Sequence, residues 1–268
     1  TDFAALVIYN DADNFSAGAN LTLLMQAIHE QNWPAVSQLI QQGQQTYQAL
    51  KYAPFPVVGA PSGMALGGGC EILLHCDAIQ AHAELYMGLV EVGVGLVPGW
   101  GGCKEYLHRQ LNFSKRPGGA MPALAKAFEV IGTAKTSKSA AEAKELLFLS
   151  AQDGITMNKD RLLADAKTKA LSLSANYSAP EPAGYQLPGA SAKAAMSMAI
   201  KNLHLQGKIS DYDLEISEQL AEVLSGGPCN ITDPLTEDDL LNLELQAFGH
   251  LVKQAGTLAR LERLLKSG

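Results

Sequence analysis

Residues 67–69 are three consecutive glycines next to a carboxylate, Glu71, and a second carboxylate, Glu91, opens another glycine-rich segment. Glycine weakens a helix or strand that it interrupts, so such a run is poorly explained by core packing and better explained by backbone that must approach a ligand closely. Paired carboxylates in different environments can serve as one general acid and one general base. The two segments therefore predict a catalytic site, although Glu71 alone would also fit an acid in a first helical turn.

The composition limits the classes of partner. A chain of 268 residues with 47% apolar and 18% charged residues can bury the core of one large domain, with or without an appendage. The net charge of −7 and the absence of a Lys/Arg run argue against a nucleic-acid partner. No apolar stretch reaches the roughly 18 residues of a membrane span, so no membrane partner is expected.

The four cysteines show no metal-binding or redox spacing. They are Cys70, Cys76, Cys103 and Cys229, and the first three lie in segments with buried character. We predict reduced thiols of a cytoplasmic protein rather than disulfides, and no metal site.

Strand and helix signals alternate in the first 150 residues. Strands are predicted at 3–9, 56–60, 77–82 and 84–87, and helices at 21–30, 34–52, 67–76, 123–130 and 139–149. This alternation favours an α/β core whose site lies in loops at strand ends. Later segments are predicted to be helical at 161–173, 190–204, 209–224 and 235–265, and Thr236 with the acids after it is typical of a helix start.

Other candidate groups have ordinary structural interpretations. Gly93 and Gly95 imitate part of a dinucleotide-binding loop, but Pro98 stands at its last position, so NAD binding is not expected. The spacing of the histidines fits neither a metal site nor a triad, and we expect structural roles for them. The histidines considered are His75, His82 and His108. Basic residues that could meet the phosphates of a ligand, or be solvated surface groups, are Lys115, Arg116, Lys135 and Lys138.

Three ordered motifs carry a family resemblance. They are NFSAGANL at 14–21, FPVVGAPSGMALGGGCE at 55–71 and EVGVGLVPGWGG at 91–102, with a weaker fourth match in IGT at 131–133 and SAAEAK at 139–144. Together they resemble the crotonase (enoyl-CoA hydratase/isomerase) superfamily over residues 3–173. The later region is similar to the hydratase part of bacterial multifunctional 3-hydroxyacyl-CoA dehydrogenases.

The resemblance implies a fold and a domain division. The expected fold is α/β and crotonase-like, the ClpP/crotonase spiral of ββα units, with a helical C-terminal region. The expected division is a core at residues 1–173 and the helical region at 174–268. Because the chain starts inside or just before a strand, we expect an N-terminally truncated core with an incomplete sheet edge, which further chain or a partner would normally cover.

The resemblance also implies the site and its chemistry. Backbone N–H groups of Ala19 and Gly68 match the family's oxyanion hole, and Glu71 and Glu91 match its acid–base pair. Positions that match substrate or CoA contacts are Ala17, Gly18, Leu21 and Gly67. The implied reaction is hydration of a trans-2-enoyl-CoA to a 3-hydroxyacyl-CoA in fatty-acid β-oxidation. Which glutamate acts as base is left open by the chemistry, and we favour Glu71 as the base and Glu91 as the proton donor.

Several alternatives stay open. Family isomerases resemble a pattern with one carboxylate, at the Glu91 position, so the presence of Glu71 favours a hydratase. Val90 stands where proline is common, and Asn20 stands where aspartate is common, which affects the expected acyl preference and CoA contacts. The rivals are isomerisation or other crotonase chemistry such as thioester hydrolysis, and a non-catalytic assembly module. The implied partners are an acyl-CoA and further copies of the chain, as a trimer or dimer of trimers; NAD is expected only on a dehydrogenase portion outside this sequence.

Overall fold

The computed structural model describes residues 3–116 and 118–267. The chain divides into two compact units, each assembled from three separate segments. Unit 1 comprises Thr1–Ala19, Gln45–Leu89 and Thr136–Glu181, and unit 2 comprises Asn20–Gln44, Val90–Lys135 and Pro182–Gly268.

Unit 1 contains parallel β-structure. The strands are β1 (Leu6–Tyr9), β2 (Val57–Ala60), β3 (Met64–Leu66), β4 (Ala78–His82), β5 (Tyr86–Gly88) and β6 (Gly154–Thr156). One sheet has the order β1-β2-β4-β6, and β3 pairs with β5 in a second sheet. All of these pairings are parallel, as expected where helices connect successive strands.

Helices account for most of the remaining structure. They are α1 (Leu21–His29), α2 (Trp33–Lys51), α3 (Gly68–Leu74), α4 (Gly102–Leu111), α5 (Met121–Gly132), α6 (Ala140–Glu145), α7 (Leu162–Ser174), α8 (Ala190–Leu205), α9 (Asp211–Ser225), α10 (Glu237–Leu251) and α11 (Ala255–Ser267). Among the residues described, no helix is both long and apolar enough to cross a membrane.

One hydrophobic cluster of unit 1 lies between the larger sheet and α7. Leu162, Ala166 and Ala170 repeat every four residues, so they share one face of α7 and pack on the sheet residues Val58 and Ala60. The two alanines let the helix lie close to the strands, and β2 is buried along its whole length.

Most sequence-predicted elements occur within a few residues of the expected bounds, but residues 235–265 do not form one helix. The structure has α10 and α11 there, with a break at 252–254. After the break, a Cβ at Gly256 would lie 2.4 Å from the ring of Tyr212, so the new helix direction brings α11 close to α9. Thr236 caps α10 as predicted, and its hydroxyl accepts the Asp239 N–H in a capping box.

Helix α4 begins at a glycine-rich segment in which no helix was predicted. The carboxylate of Glu244, from α10, accepts the N–H of Gly101 at 2.7 Å and that of Lys104 at 2.8 Å. Gln44 donates from Nε2 to the carbonyls of Gly99 and Leu241, each at 2.9 Å. Glu244, distant in sequence, thus supplies the start of α4 with the capping acceptor that its own sequence lacks, and Gln44 ties the backbone before α4 to α10.

We expect Glu244→Gln to lower the free energy of unfolding by about 1–3 kcal/mol, because an amide has one acceptor oxygen and would leave a buried N–H unsatisfied. Urea denaturation followed by circular dichroism measures the change. Gln246→Glu is the matched control, because it exchanges the same two groups at an exposed position of α10. An unchanged denaturation midpoint in Glu244→Gln would contradict the capping role.

Candidate active site

The glycine run forms the junction between β3 and α3. Gly67 has φ 55° and ψ −125°, a conformation that a residue with a Cβ adopts only with strain, and its N–H donates to the Gly88 carbonyl at 3.0 Å. The Gly67 carbonyl accepts the N–H of Cys70 at 2.7 Å and of Glu71 at 2.9 Å. The strand therefore turns directly into the helix, and the N–H of Gly68 is the first of α3.

The segment that carries Ala17, Gly18 and Ala19 runs beside this junction. Ser16 donates to the Met64 carbonyl and accepts the Leu66 N–H, each at 3.0 Å, so the segment continues the β3 ladder by one bridge. A Cβ added at Gly18 would lie 3.8 Å from the Gly68 nitrogen. The two predicted oxyanion-hole segments, at Ala19 and Gly68, therefore lie side by side in unit 1.

Glu71 lies one turn into α3 and is 2% exposed. The ring of His75, one turn later, approaches the Glu71 carbonyl through Nδ1 at 2.8 Å. A carboxylate at this depth is costly unless hydrogen-bonded or paired, and such burial is common at sites where a carboxylate works as an acid or base.

Tyr47 was not singled out from the sequence. Its hydroxyl donates to the carbonyl of Gly68 at 3.0 Å, and its ring lies 5.5 Å from that of His75. The tyrosine therefore fixes the peptide unit that follows Gly68. Tyr47 lies on α2 among several glutamines, and nothing in this local sequence predicts its contact with Gly68.

Unit 2 contains Glu91 as the first residue of a 3-10 helix, Glu91–Val94, which we call the Glu91 turn. The turn ends at Gly95, whose φ of 86° suits glycine, and Leu96 donates its N–H to the Glu91 carbonyl at 3.0 Å. Glu91 is partly exposed, whereas its Oε2 atom is inaccessible to solvent.

Leu21, a predicted substrate contact, is the first residue of α1 in unit 2. Asn20 caps that helix, and its Oδ1 accepts the N–H of Thr22 at 3.1 Å and of Leu23 at 3.4 Å. Asparagine and aspartate cap helices about equally well. The departure from the family pattern at Asn20 therefore keeps this structural role.

The remaining candidates have structural surroundings. His108 packs edge-on against Tyr185 at 6.0 Å, and His82 accepts the Glu84 N–H at 3.4 Å. Gly93 and Gly95 lie in and after the Glu91 turn, which is unlike the strand–loop–helix of a dinucleotide-binding motif. Within residues 3–116 and 118–267, no cluster of three or more His, Cys, Asp or Glu side chains could hold a metal ion.

The four cysteines are thiols rather than disulfides, as predicted, and Cys70, Cys76 and Cys103 are buried. Cys70 follows the glycine run in α3 and is fully buried, which fits a small packing residue. Burial raises the pKa of the Cys229 thiol, so this group stays protonated at neutral pH.

Comparison with known proteins identifies the family of the first part of the chain. Residues 1–131 match the family described as Enoyl-CoA hydratase/isomerase. The match includes the glycine run, both glutamates and the segment beside β3. This part of the chain therefore carries a domain of the crotonase superfamily, as its motifs had suggested.

Relatives of greater length match the whole chain. A Bacillus subtilis (strain 168) protein named "Probable 3-hydroxyacyl-CoA dehydrogenase" is 40% identical over 268 residues, which are 100% of this chain and 34% of that protein. A Rickettsia felis protein with the provisional name fatty acid oxidation complex trifunctional enzyme is 32% identical over 265 residues, 97% of this chain and 33% of that protein. The chain thus spans about a third of the length of these relatives.

Solved structures confirm the crotonase-like fold. An enoyl-CoA hydratase from Bacillus halodurans superimposes with a TM-score of 0.60 at 18% identity, covering 96% of this chain and 80% of that one. An enoyl-CoA hydratase/isomerase from Mycobacterium paratuberculosis gives 0.59 at 21% identity, covering 96% and 78%. At these identities the likeness shows the fold alone.

We expect Gly69→Ala to destabilise the protein by about 1–3 kcal/mol, because its Cβ would overpack the junction. That atom would lie 2.6 Å from the Cβ of Ser16 and 2.9 Å from its carbonyl oxygen. Gly249→Ala is the matched control, because it is also a helical glycine. Apart from its chain neighbours and the nearby backbone of its own helix, no described heavy atom lies within 4 Å of the methyl group that alanine would add, and this variant should gain about 0.5–1 kcal/mol. Thermal denaturation compares the two, and a Gly69→Ala protein as stable as Gly249→Ala would contradict the close approach.

Proposed function

We propose that this chain catalyses the hydration of trans-2-enoyl-CoA to 3-hydroxyacyl-CoA, the hydratase step of fatty-acid β-oxidation. The observation that carries the proposal is the junction in unit 1. There the first N–H of α3, at Gly68, lies beside the segment of Gly18 and Ala19, one turn before a buried carboxylate, Glu71.

The junction suits an anionic oxygen. Addition of water at C3 of an enoyl thioester shifts an electron pair through C2 to the thioester oxygen, which becomes an enolate oxygen. The N–H groups of Gly68 and Ala19 are assigned to this oxygen, with Ala17, Gly18, Leu21 and Gly67 as substrate contacts. A donor of this kind contributes on the order of 10²–10³ in rate, and a helix start adds positive potential.

The two glutamates divide the proton transfers. Glu71 takes a proton from the attacking water while the water oxygen bonds to C3. Glu91 then delivers a proton to C2 as the enolate returns its electron pair to that carbon. Each transfer contributes about 10²–10⁴ in rate. Glu71 is buried and Glu91 is partly exposed, so the two carboxylates lie in different environments.

The presence of both carboxylates favours hydration over the other chemistries of the family. Moving a double bond within the substrate requires one group that shuttles a proton, whereas adding water requires a base for the water and an acid for C2. A chain that kept only the Glu91 position would fit an isomerase better.

The names of the longer relatives extend the proposal. We assign this chain to the hydratase portion of a multifunctional polypeptide whose NAD-dependent 3-hydroxyacyl-CoA dehydrogenase lies outside these 268 residues. Residues 1–173 would form its catalytic core and 174–268 its helical region.

The buried thiols are consistent with a cytoplasmic protein. Copies of this chain would assemble as a trimer or dimer of trimers.

We expect Glu71→Gln and Glu91→Gln each to reduce kcat for crotonyl-CoA hydration by about 10²–10⁴, because each removes one proton transfer. The double variant should be little worse than either single one, since groups that act as a unit give non-additive effects. The fall of enoyl absorbance measures hydration, and calorimetric titration with an acyl-CoA checks that binding persists. Either single variant that retains more than about a tenth of the wild-type rate would contradict the assignment.

The same assay separates the rival functions. Formation of a shifted double bond, or release of free CoA thiol, with no hydrated product would favour isomerisation or thioester hydrolysis. A chain whose melting temperature is unaffected by CoA esters, and which turns none over, would be an assembly module.

Gly68→Pro deletes an N–H group while keeping the helix start, because Gly68 is the first residue of α3, the position where helices accept proline. We expect kcat to fall by about 10²–10³, the effect of losing one oxyanion donor. Gly68→Ala, which also adds carbon atoms but keeps the N–H, is the control and should retain far more activity. Equal kcat values in the two folded variants would contradict the role of this N–H.

A further inference from the structure

The Glu91 turn is too short to hold its own conformation. Its local backbone bonds run from the Gly93 N–H to the Val90 carbonyl at 3.0 Å, from the Gly95 N–H to the Val92 carbonyl at 3.1 Å and from the Leu96 N–H to the Glu91 carbonyl at 3.0 Å. A single 3-10 turn of this kind has poor hydrogen-bond geometry and fixes several dihedral angles for few bonds. Contacts with other parts of the chain are therefore needed to help fix its position.

Helix α11 supplies those contacts. The hydroxyl of Thr257, which is fully buried, donates to the Gly95 carbonyl at 2.7 Å. Arg260 donates from Nη1 to the Val92 carbonyl at 3.3 Å. Residues three apart on a helix lie on one face, so the two side chains together reach one carbonyl within the turn and one directly after it.

Helix α9 holds these two side chains in place. Asp213 accepts a hydrogen bond from Nη2 of Arg260 at 2.6 Å, and the guanidinium lies 5.2 Å from the centre of the Tyr212 ring. The Tyr212 hydroxyl is hydrogen-bonded to the Thr257 hydroxyl and lies 3.4 Å from the Gly95 carbonyl oxygen. Burial raises the pKa of Tyr212, so its hydroxyl remains a donor at neutral pH. We call the four side chains of Tyr212, Asp213, Thr257 and Arg260 the turn clamp.

We propose that the turn clamp positions Glu91 for proton transfer, with Thr257 and Arg260 as positioning residues that act through the backbone of the Glu91 turn. The inference rests on the proposed function, in which Glu91 delivers the proton to C2. Proton transfer requires heavy atoms within hydrogen-bond reach, and a displacement of about 1 Å can cost on the order of 10²-fold in rate. Neither residue needs to touch the substrate to affect the rate.

The test compares variants of the full chain. Thr257→Val keeps the shape and removes the hydroxyl, while Thr257→Ser restores a hydroxyl at the same atom. Arg260→Met is a second variant at a less buried position, whose side chain is 24% exposed, so it covers the case in which Thr257→Val does not fold. Arg263→Met is the control, because it removes the same group from an exposed position of the same helix.

We expect Thr257→Val and Arg260→Met to reduce kcat for crotonyl-CoA by about tenfold or more, with KM near the wild-type value. Hydrogen–deuterium exchange at the amides of Gly95 and Leu96 should become faster in both. Thr257→Ser should restore kcat and slow exchange, and Arg263→Met should match the wild type. A purely structural role would lower the melting temperature and leave the kcat of the folded protein unchanged.

The outcomes separate the two hypotheses. A wild-type chain that does not hydrate crotonyl-CoA overturns the proposed function, and the positioning role with it. An active wild type with unchanged kcat in both variants overturns the turn clamp alone. Losses of kcat without faster exchange in the turn also overturn it, because the clamp acts only by fixing that backbone.

Discussion

The backbone conformation of Gly67 is the constraint on which the candidate site of unit 1 depends. With φ at 55° and ψ at −125°, the chain leaves β3 and enters α3 with no intervening loop. A Cβ at this position would be strained, so the chain would need a longer connection and the first N–H of α3 would move away from the segment of Gly18. The position of Glu71, one turn later, follows from the same geometry because the helix fixes it.

The glycine-rich segment of unit 2, residues 91–102, makes few hydrogen bonds within itself and depends on other parts of the chain. Buried polar side chains from distant parts of the chain supply the missing hydrogen-bond partners. Gln44 and Glu244 fix the end of the segment that enters α4, and Thr257 fixes the carbonyl of Gly95. A buried backbone group must find a partner, so each of these side chains is tied to one arrangement of the segment.

The sequence predicted the features that depend on local patterns. The glycine run, the strand and helix periods, and the Thr236 cap are all properties of neighbouring residues, and family motifs added the fold and the expected site. Long-range polar contacts were not predictable. Lys104 is buried beside Glu105 and donates to Glu237 at 3.1 Å, although the two partners are 133 positions apart and a local pattern places a lysine in solvent. Helix α4 was missed for the same reason, because its cap is Glu244.

The order of the turn-clamp contacts along the chain has a consequence for biosynthesis. Thr257 follows Gly95 by 162 positions, and Arg260 follows Val92 by 168. A ribosome makes the chain from its N-terminus, so the Glu91 segment emerges long before the helix that fixes it. Contacts of such wide separation also form slowly. A nascent chain would therefore make the residues of the β3–α3 junction early and complete the support of the Glu91 turn late. On the proposed function, a polypeptide that ends before α11 would contain both glutamates yet lack the contacts that position Glu91.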